Sequence, residues 1–339
     1  MKYSFLFVAA VLLMGAGCAS NSTLKPTEVN TEKPTVVATF FPIAEVSRAV
    51  LGDLANVVVI TPEGTEPHDY EPTPKQIEQI LSADVFFMNG AGLDPWGEKL
   101  HTDLETKQVT VLELTDGMAL KEGGAHEHHN DAAHKETVEH HNEDEHAAEE
   151  FHADEVGHTH EDETGKDPHV WLDPTVMMRA ATALRDEMMS IDPNNATQYA
   201  QQTQVFLSAL ESLDQAYKTG LSTCEKDSII VSHDAFAYLS GRYGFTTHAI
   251  AGLSPSAEPS AKQLSQLAEE AKENKTEYIF FESLVSPKLA ETLAAEVGAK
   301  TLVLTPIEGR NEEEAAANAT YISLMEQNLN NLKIALACK

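Results

Sequence analysis

The sequence predicts an α/β protein made of two lobes with parallel sheets joined by one long rigid helix, and three observations carry that prediction. Short apolar runs alternate with amphipathic segments, the alternation gives way near residues 191–220 to a stretch of helical character without a breaker, and it then restarts. Strands that are apolar throughout belong to parallel sheets covered on both faces, and strand–helix alternation is how such sheets are wound.

In the first lobe, residues 34–190, TVVATF at 35–40 and VVVIT at 57–61 read as strands, each followed by a helical segment, IAEVSRAVLG and then TPKQIEQILSA. DVFFMN at 84–89 and QVTVL at 108–112 continue the alternation. Asp192 and Pro193 open the linking helix, in which Tyr199, Val205, Phe206, Leu210, Leu213 and Tyr217 recur near helical spacing. A helix of some 25 residues is about 38 Å long, enough to bridge two lobes. The second lobe, residues 221–339, repeats the pattern: SIIVS at 228–232, a helix near 235–243, a helix at 261–274, TEYIFFE at 276–282, a helix at 288–297, TLVLTP at 301–306 and a terminal helix from about Glu312. Two lobes on one helix place a ligand cleft between them.

Ahead of the first strand, MKYSFLFVAAVLLMGAGCAS has a lysine, an apolar run too short to span a bilayer, and small residues up to Cys18. Residues 1–17 read as a secretory signal peptide. LMGAGC resembles the lipobox of bacterial lipoproteins, which implies lipidation of Cys18 and a polar tether over 18–33; a signal peptide with an incidental cysteine is the alternative. Anchorage by lipid alone would hold the protein outside the cytoplasm. There, Cys224 and Cys338 form an even pair open to one disulfide or to two free thiols.

Within the first lobe, residues 122–165 form an insert with fifteen Asp and Glu against one lysine, and ten histidines: His126, His128, His129, His134, His140, His141, His146, His152, His158 and His160. So polar a tract cannot bury enough apolar surface to offset its ordering entropy, so a preformed high-affinity site must lie elsewhere. Its imidazoles suit weak auxiliary metal capture. A net charge of −31 excludes generic nucleic-acid binding and argues against adsorption to anionic lipid.

Five histidines lie outside the insert. His101, on a helix face, and His248, in a turn-rich loop, read as surface residues. His68, His169 and His233 fall where strands give way to loops, the end of an open α/β sheet at which ligand sites gather. Their surroundings, EPHDYEPTP, DPHVWLDP and VSHDAFAYLSGRYG, together with EPSAKQL and FFESLVSPKLAETLA, resemble the motifs of the substrate-binding lipoproteins that serve zinc and manganese ABC importers, in order, over residues 35–336.

The resemblance implies metal ligands at His68, His169 and His233. Many members carry an aspartate at the fourth position, where this chain has Thr305. Three residues on, LTPIEGR resembles the segment of zinc-type members in which a glutamate completes the site, which points to Glu308, with Glu282 and water as alternatives. Three imidazoles and a carboxylate match the tetrahedral preference of Zn2+, while Mn2+ favours a more oxygen-rich shell. Asp69, Asp173 and Asp234 adjoin these segments, either to orient imidazoles or to cap helices. The expected function is extracytoplasmic capture of zinc and its delivery, as a monomer, to an ABC permease.

Two other readings are open. A zinc hydrolase needs an open coordination position, but no HExxH occurs and GLSPS fails GxSxG at its fifth residue. A surface adhesin is compatible with lipid anchorage and acidity.

Overall fold

The computed structural model describes residues 33–123 and 165–339. The signal peptide, Cys18, the tether up to residue 32 and the ten insert histidines lie outside the described residues.

In chain order the first lobe contains β1 (Thr35–Ala38), α1 (Phe41–Leu51), β2 (Asn56–Val59), α2 (Pro74–Leu81), β3 (Val85–Met88), α3 (Pro95–Lys99), α4 (His101–Lys107), β4 (Thr110–Glu113) and α5 (Pro174–Ile191). The long helix α6 (Ala196–Gly220) follows, and then β5 (Ser228–Val231), α7 (Ala237–Tyr243), β6 (Thr246–Ala249), α8 (Ala261–Glu273), β7 (Tyr278–Phe281), α9 (Lys288–Val297), β8 (Lys300–Val303), α10 (Glu312–Ala316) and α11 (Tyr321–Ala335). Each lobe has one four-stranded sheet, ordered β2-β1-β3-β4 and β6-β5-β7-β8, and every pairing is parallel. No described helix is long and apolar enough to cross a membrane.

Side-chain alternation explains the continuous apolar runs. Val36, Val85 and Phe87 point into the main core, whereas Val37, Phe86 and Met88 on the same strands point into a second cluster with Ile80 and Trp96. Successive strand residues face opposite sides, so a sheet covered on both faces needs apolar residues at every position. The main core runs from the first sheet through Leu184 of α5 and Tyr199, Leu210 and Tyr217 of α6 to Met325 of α11 and Val231 of β5. That shared core joins the two lobes.

Four local expectations need correction. A 3₁₀ turn over Pro193–Asn195 precedes α6, so the helix starts at Ala196. Val205 lies on its exposed side at 73% exposure, although it fits the helical spacing. His248 sits on β6, an edge strand whose TTHA sequence carries no apolar run, and pairs with Glu270 at 3.0 Å. The terminal helix is two helices, broken at Asn318 with φ 51°.

Cys224 and Cys338 form a disulfide across 114 residues. The bond fastens the chain after α11 to the turn after α6, beside the paired backbones of Glu225 and Leu336.

Candidate metal centre

His68 arrives on the loop between β2 and α2. His233 stands two residues past β5, and Glu308 lies in the loop between β8 and α10. Three of the four groups therefore come from the carboxyl ends of parallel strands. His169 comes on the segment that re-enters after the insert, held to the lobe where Asp167 N–H donates to Lys121 O at 2.9 Å.

These four side chains converge. Nε2 of His169 lies 3.2 Å from Nε2 of His68 and 3.2 Å from Nε2 of His233. Glu308 Oε1 lies 3.2 Å from His169 Nε2 and 3.5 Å from both His68 Nε2 and His233 Nε2. A tetrahedron whose corners stand 2.0–2.1 Å from a central zinc has edges of about 3.3–3.4 Å. Five of the six separations thus match that edge, and all four atoms lie within 4.8 Å of one another. His169, His233 and Glu308 are buried, and neither oxygen of Glu308 accepts a well-formed hydrogen bond among the described residues. A buried carboxylate facing three nitrogen lone pairs fits a cation.

In the metal-free protein the four groups set one another's protonation. Burial pushes the Glu308 carboxyl up, but His169, His233 and His68 outweigh it and hold it well below the usual carboxylate range. For His233, burial lowers and the Glu282 and Glu308 carboxylates raise, leaving it well above the ordinary imidazole value; His169 is raised likewise against burial by Asp167 and Glu308. Burial dominates at His68, which is lowered.

Two of the converging rings are gripped by the same device. His169 donates both its backbone N–H (2.9 Å) and Nδ1–H (2.7 Å) to Asp167 Oδ1. His233 donates both groups to Glu282 Oε1, at 3.2 and 2.7 Å. With Nδ1 as the donor, each Nε2 faces the centre, where its lone pair meets a cation once that nitrogen gives up its proton. Glu282 therefore lies behind the His233 ring and outside the cluster. Two of the aspartates adjacent in sequence do other work: Asp173 caps α5 by accepting from Thr175 N–H at 2.8 Å, and Asp69 accepts from Ser256 Oγ across the lobes at 2.8 Å. The backbone N–H of Asp234 donates to Gly252 O.

Sequence reasoning missed Glu66. Its Oε1 accepts from His68 N–H at 3.3 Å, and burial together with the Glu308 charge pushes its carboxyl up to about 10. The only hint was its place two residues ahead of His68. Thr305 is buried and bonded to backbone and to Asn328. His101 is exposed on α4 near Glu105 and His248 lies on β6, so neither joins the cluster. A cavity of about 260 Å³ lined by Phe41, Thr61, Glu63, Glu308 and Gly309 reaches Glu308 from the surface.

Comparison with known proteins finds relatives along nearly the whole chain. The chain is 37% identical over 338 residues to the zinc-binding lipoprotein AdcA of Streptococcus pneumoniae R6, covering 98% of this chain and 61% of that protein, so it spans about three-fifths of that relative's length. It is 36% identical over 339 residues to the high-affinity zinc uptake system protein ZnuA of Bacillus subtilis 168, covering 100% of this chain and 99% of that one. The crystal structure of the Zn(II)-bound ZnuA-like domain of Streptococcus pneumoniae AdcA superposes with a TM-score of 0.70 at 36% identity, over 90% of this chain and 99% of that domain. The sequence pattern of zinc-uptake complex component A, periplasmic, runs through residues 36–335, both sheets and all four converging side chains included, and the chain belongs to that family.

Proposed function

We propose that the protein captures Zn2+ outside the cytoplasm and delivers it to the permease of an ABC importer, with His68, His169, His233 and Glu308 as its ligands. The observation that carries this reading is the match of five ligand-atom separations, 3.2–3.5 Å, to the edge of a zinc tetrahedron. Four protein ligands fill the shell and leave no position for an activated water, which favours carriage over hydrolysis. Lipidation at Cys18 would keep the carrier, a monomer, near its permease.

Capture requires the ion to shed its water and the imidazoles their protons. His169, His233 and Glu308 sit in the shared core, braced by Asp167 and Glu282. His68 rides on a loop tied to the second lobe by polar contacts at its shoulders, Glu63 to Arg310 and Asp69 to Ser256. The cavity at Glu308 lies beside the first of these ties, and His68 is the ligand whose withdrawal opens the site with least disturbance of the core.

The test is a competitive zinc titration of the wild type, His233→Ala, and a variant with residues 124–164 replaced by a short turn. The replacement is feasible because Gly123 N–H donates to Gly165 O at 2.9 Å. The reading expects one tight zinc in the wild type and in the turn variant, with only weak equivalents lost with the insert, and no tight zinc in His233→Ala. Loss of the tight zinc with the insert, and its survival in His233→Ala, would overturn it.

A further inference from the structure

The loop that delivers Glu308 is held in a conformation its sequence does not favour. Ile307 has φ 62°, the left-handed region, which is unfavourable for a β-branched side chain. Such a residue persists only where its surroundings over-determine it.

Those surroundings are identifiable. β8 is the edge of the second sheet, and beyond its end the Thr305 backbone has no neighbouring strand. Asn328 of α11, fully buried, takes that place: its Oδ1 accepts from Thr305 N–H at 3.0 Å, and its Nδ2 donates to Thr305 O at 2.7 Å. One turn along, Asn331 Nδ2 donates to Val303 O at 2.8 Å. Thr305 Oγ1 then accepts from Ile307 N–H at 3.0 Å, closing the turn that sends Glu308 back toward the histidines. From the first lobe, Trp171 Nε1 donates to Pro306 O at 2.7 Å.

We infer that Thr305 and Asn328 are positioning residues for Glu308, holding Ile307 in its left-handed conformation so that the carboxylate is already in place when zinc arrives. The inference rests on Glu308 being a zinc ligand. It gives Thr305 a use different from ligation: its hydroxyl fixes the turn from which a ligand three residues later is presented. Were the Oγ1 bond lost, Ile307 would relax toward negative φ and carry Glu308 out of the tetrahedron.

The experiment compares Thr305→Val, which keeps the shape and removes the acceptor, with Thr305→Ser, which keeps it, each alone and combined with Glu308→Gln in the full chain. Zn2+ affinity is measured by chelator competition, the ligand-field spectrum is recorded with Co2+, and the metal-free fold is checked by circular dichroism. Thr305→Val is expected to weaken zinc about tenfold to a hundredfold, the range for groups that support a ligand. It should also shift the Co2+ bands in the direction that Glu308→Gln shifts them, and add nothing once Glu308 is glutamine. Thr305→Ser is expected to restore both readouts. If Glu308→Gln weakens zinc and Thr305→Val does not, or if the two losses add, positioning is overturned while the ligand assignment stands. If Glu308→Gln leaves zinc binding unchanged, the ligand assignment fails and positioning falls with it. Thr305→Ala, also without the acceptor but smaller, takes the place of the valine variant should that one not fold.

Discussion

Glu282→Gln keeps the size of the side chain and one acceptor oxygen while removing its charge. In the wild type that charge lies 2.7 Å from His233 Nδ1, on the far side of the ring from the cluster. The path from the carboxylate oxygen through the imidazole to a zinc 2.0–2.1 Å beyond Nε2 is roughly 7 Å. At an effective dielectric constant of 20, a single negative charge at that distance attracts a dication by about 5 kcal/mol, an upper bound because the buried carboxylate bears its own desolvation cost. Groups that orient a ligating histidine contribute about tenfold to a hundredfold in metal affinity, or roughly 1.4–2.7 kcal/mol, and that is the expected loss. The same carboxylate also raises the proton affinity of His233 in the metal-free protein. Zinc therefore displaces a proton more often in the wild type than in the variant as the pH falls. The affinity loss should shrink as the pH falls, with the wild-type curve the steeper. Chelator competition at several pH values measures both. Unchanged affinity at pH 8, or a loss that grows toward acid, would refute the claim that Glu282 acts on zinc through the His233 ring.

Three further outcomes are expected. Asp94 is buried, which pushes its carboxyl from 3.8 to about 6 although Asn89 N–H and Gly90 N–H donate to it. Between those values the folded chain holds a proton that the unfolded chain releases, so stability is lost as pH rises, by roughly 3 kcal/mol in all. Urea unfolding of the zinc-free protein should therefore shift in favour of Asp94→Asn by up to that amount between pH 4 and 7, and a constant difference would contradict it. Glu63→Gln breaks a partly exposed ion pair with Arg310 beside the His68 loop, and pairs of that kind contribute up to about 1 kcal/mol. Stopped-flow release into a chelator should speed up by no more than about fivefold, while release at the wild-type rate would remove the pair from the exchange step. Reduction of Cys224–Cys338 frees a loop of 114 residues, for which chain entropy gives a loss of about 4–5 kcal/mol; a melting temperature unaffected by reductant would show that the bond does not support the fold.

The strand order and the four converging residues differ in how legible they were. Alternating apolar runs identify seven of the eight strands, because a sheet buried on both faces must be apolar at every position. β6 escaped since an edge strand with TTHA has no such run, and α5 was passed over although Asp173 and Pro174 mark its start as cap and first residue. Motifs single out His68, His169, His233 and Glu308, and the structure brings those side chains together. Their supports were legible in part: of the two readings open for Asp69, Asp173 and Asp234, helix capping holds for Asp173, whereas the acceptors behind the His169 and His233 rings are Asp167 and Glu282. For Glu282 a signal existed. Ile230 pairs with Ile279 in parallel register, so residues three further along each strand, 233 and 282, come side by side. Adjacency in a sheet follows from register, which an isolated motif does not carry.

The same register explains why the centre is built where it is. In the order β6-β5-β7-β8, the chain leaves β5 toward β6 on one side and β7 toward β8 on the other, so β5 and β7 flank the point where winding reverses and a crevice opens at their carboxyl ends. His233 and Glu282 occupy that crevice as ring and acceptor. The first sheet has the same order, and its corresponding crevice lies past β1 and β3. Asn89, one residue past β3 as Glu282 is one past β7, occupies it, and its Nδ2 donates to Pro168 O at 3.1 Å. That bond grips the backbone immediately before His169. One topology thus supports two histidines in two ways: in the second lobe the crevice holds the ring itself, and in the first it holds the segment that brings the ring from beyond the insert. Asn89→Leu should on this argument weaken zinc binding through His169 while leaving the first sheet intact. If it does not, the His169 segment is held by Asp167 alone, and the parallel between the lobes stops at their strand order.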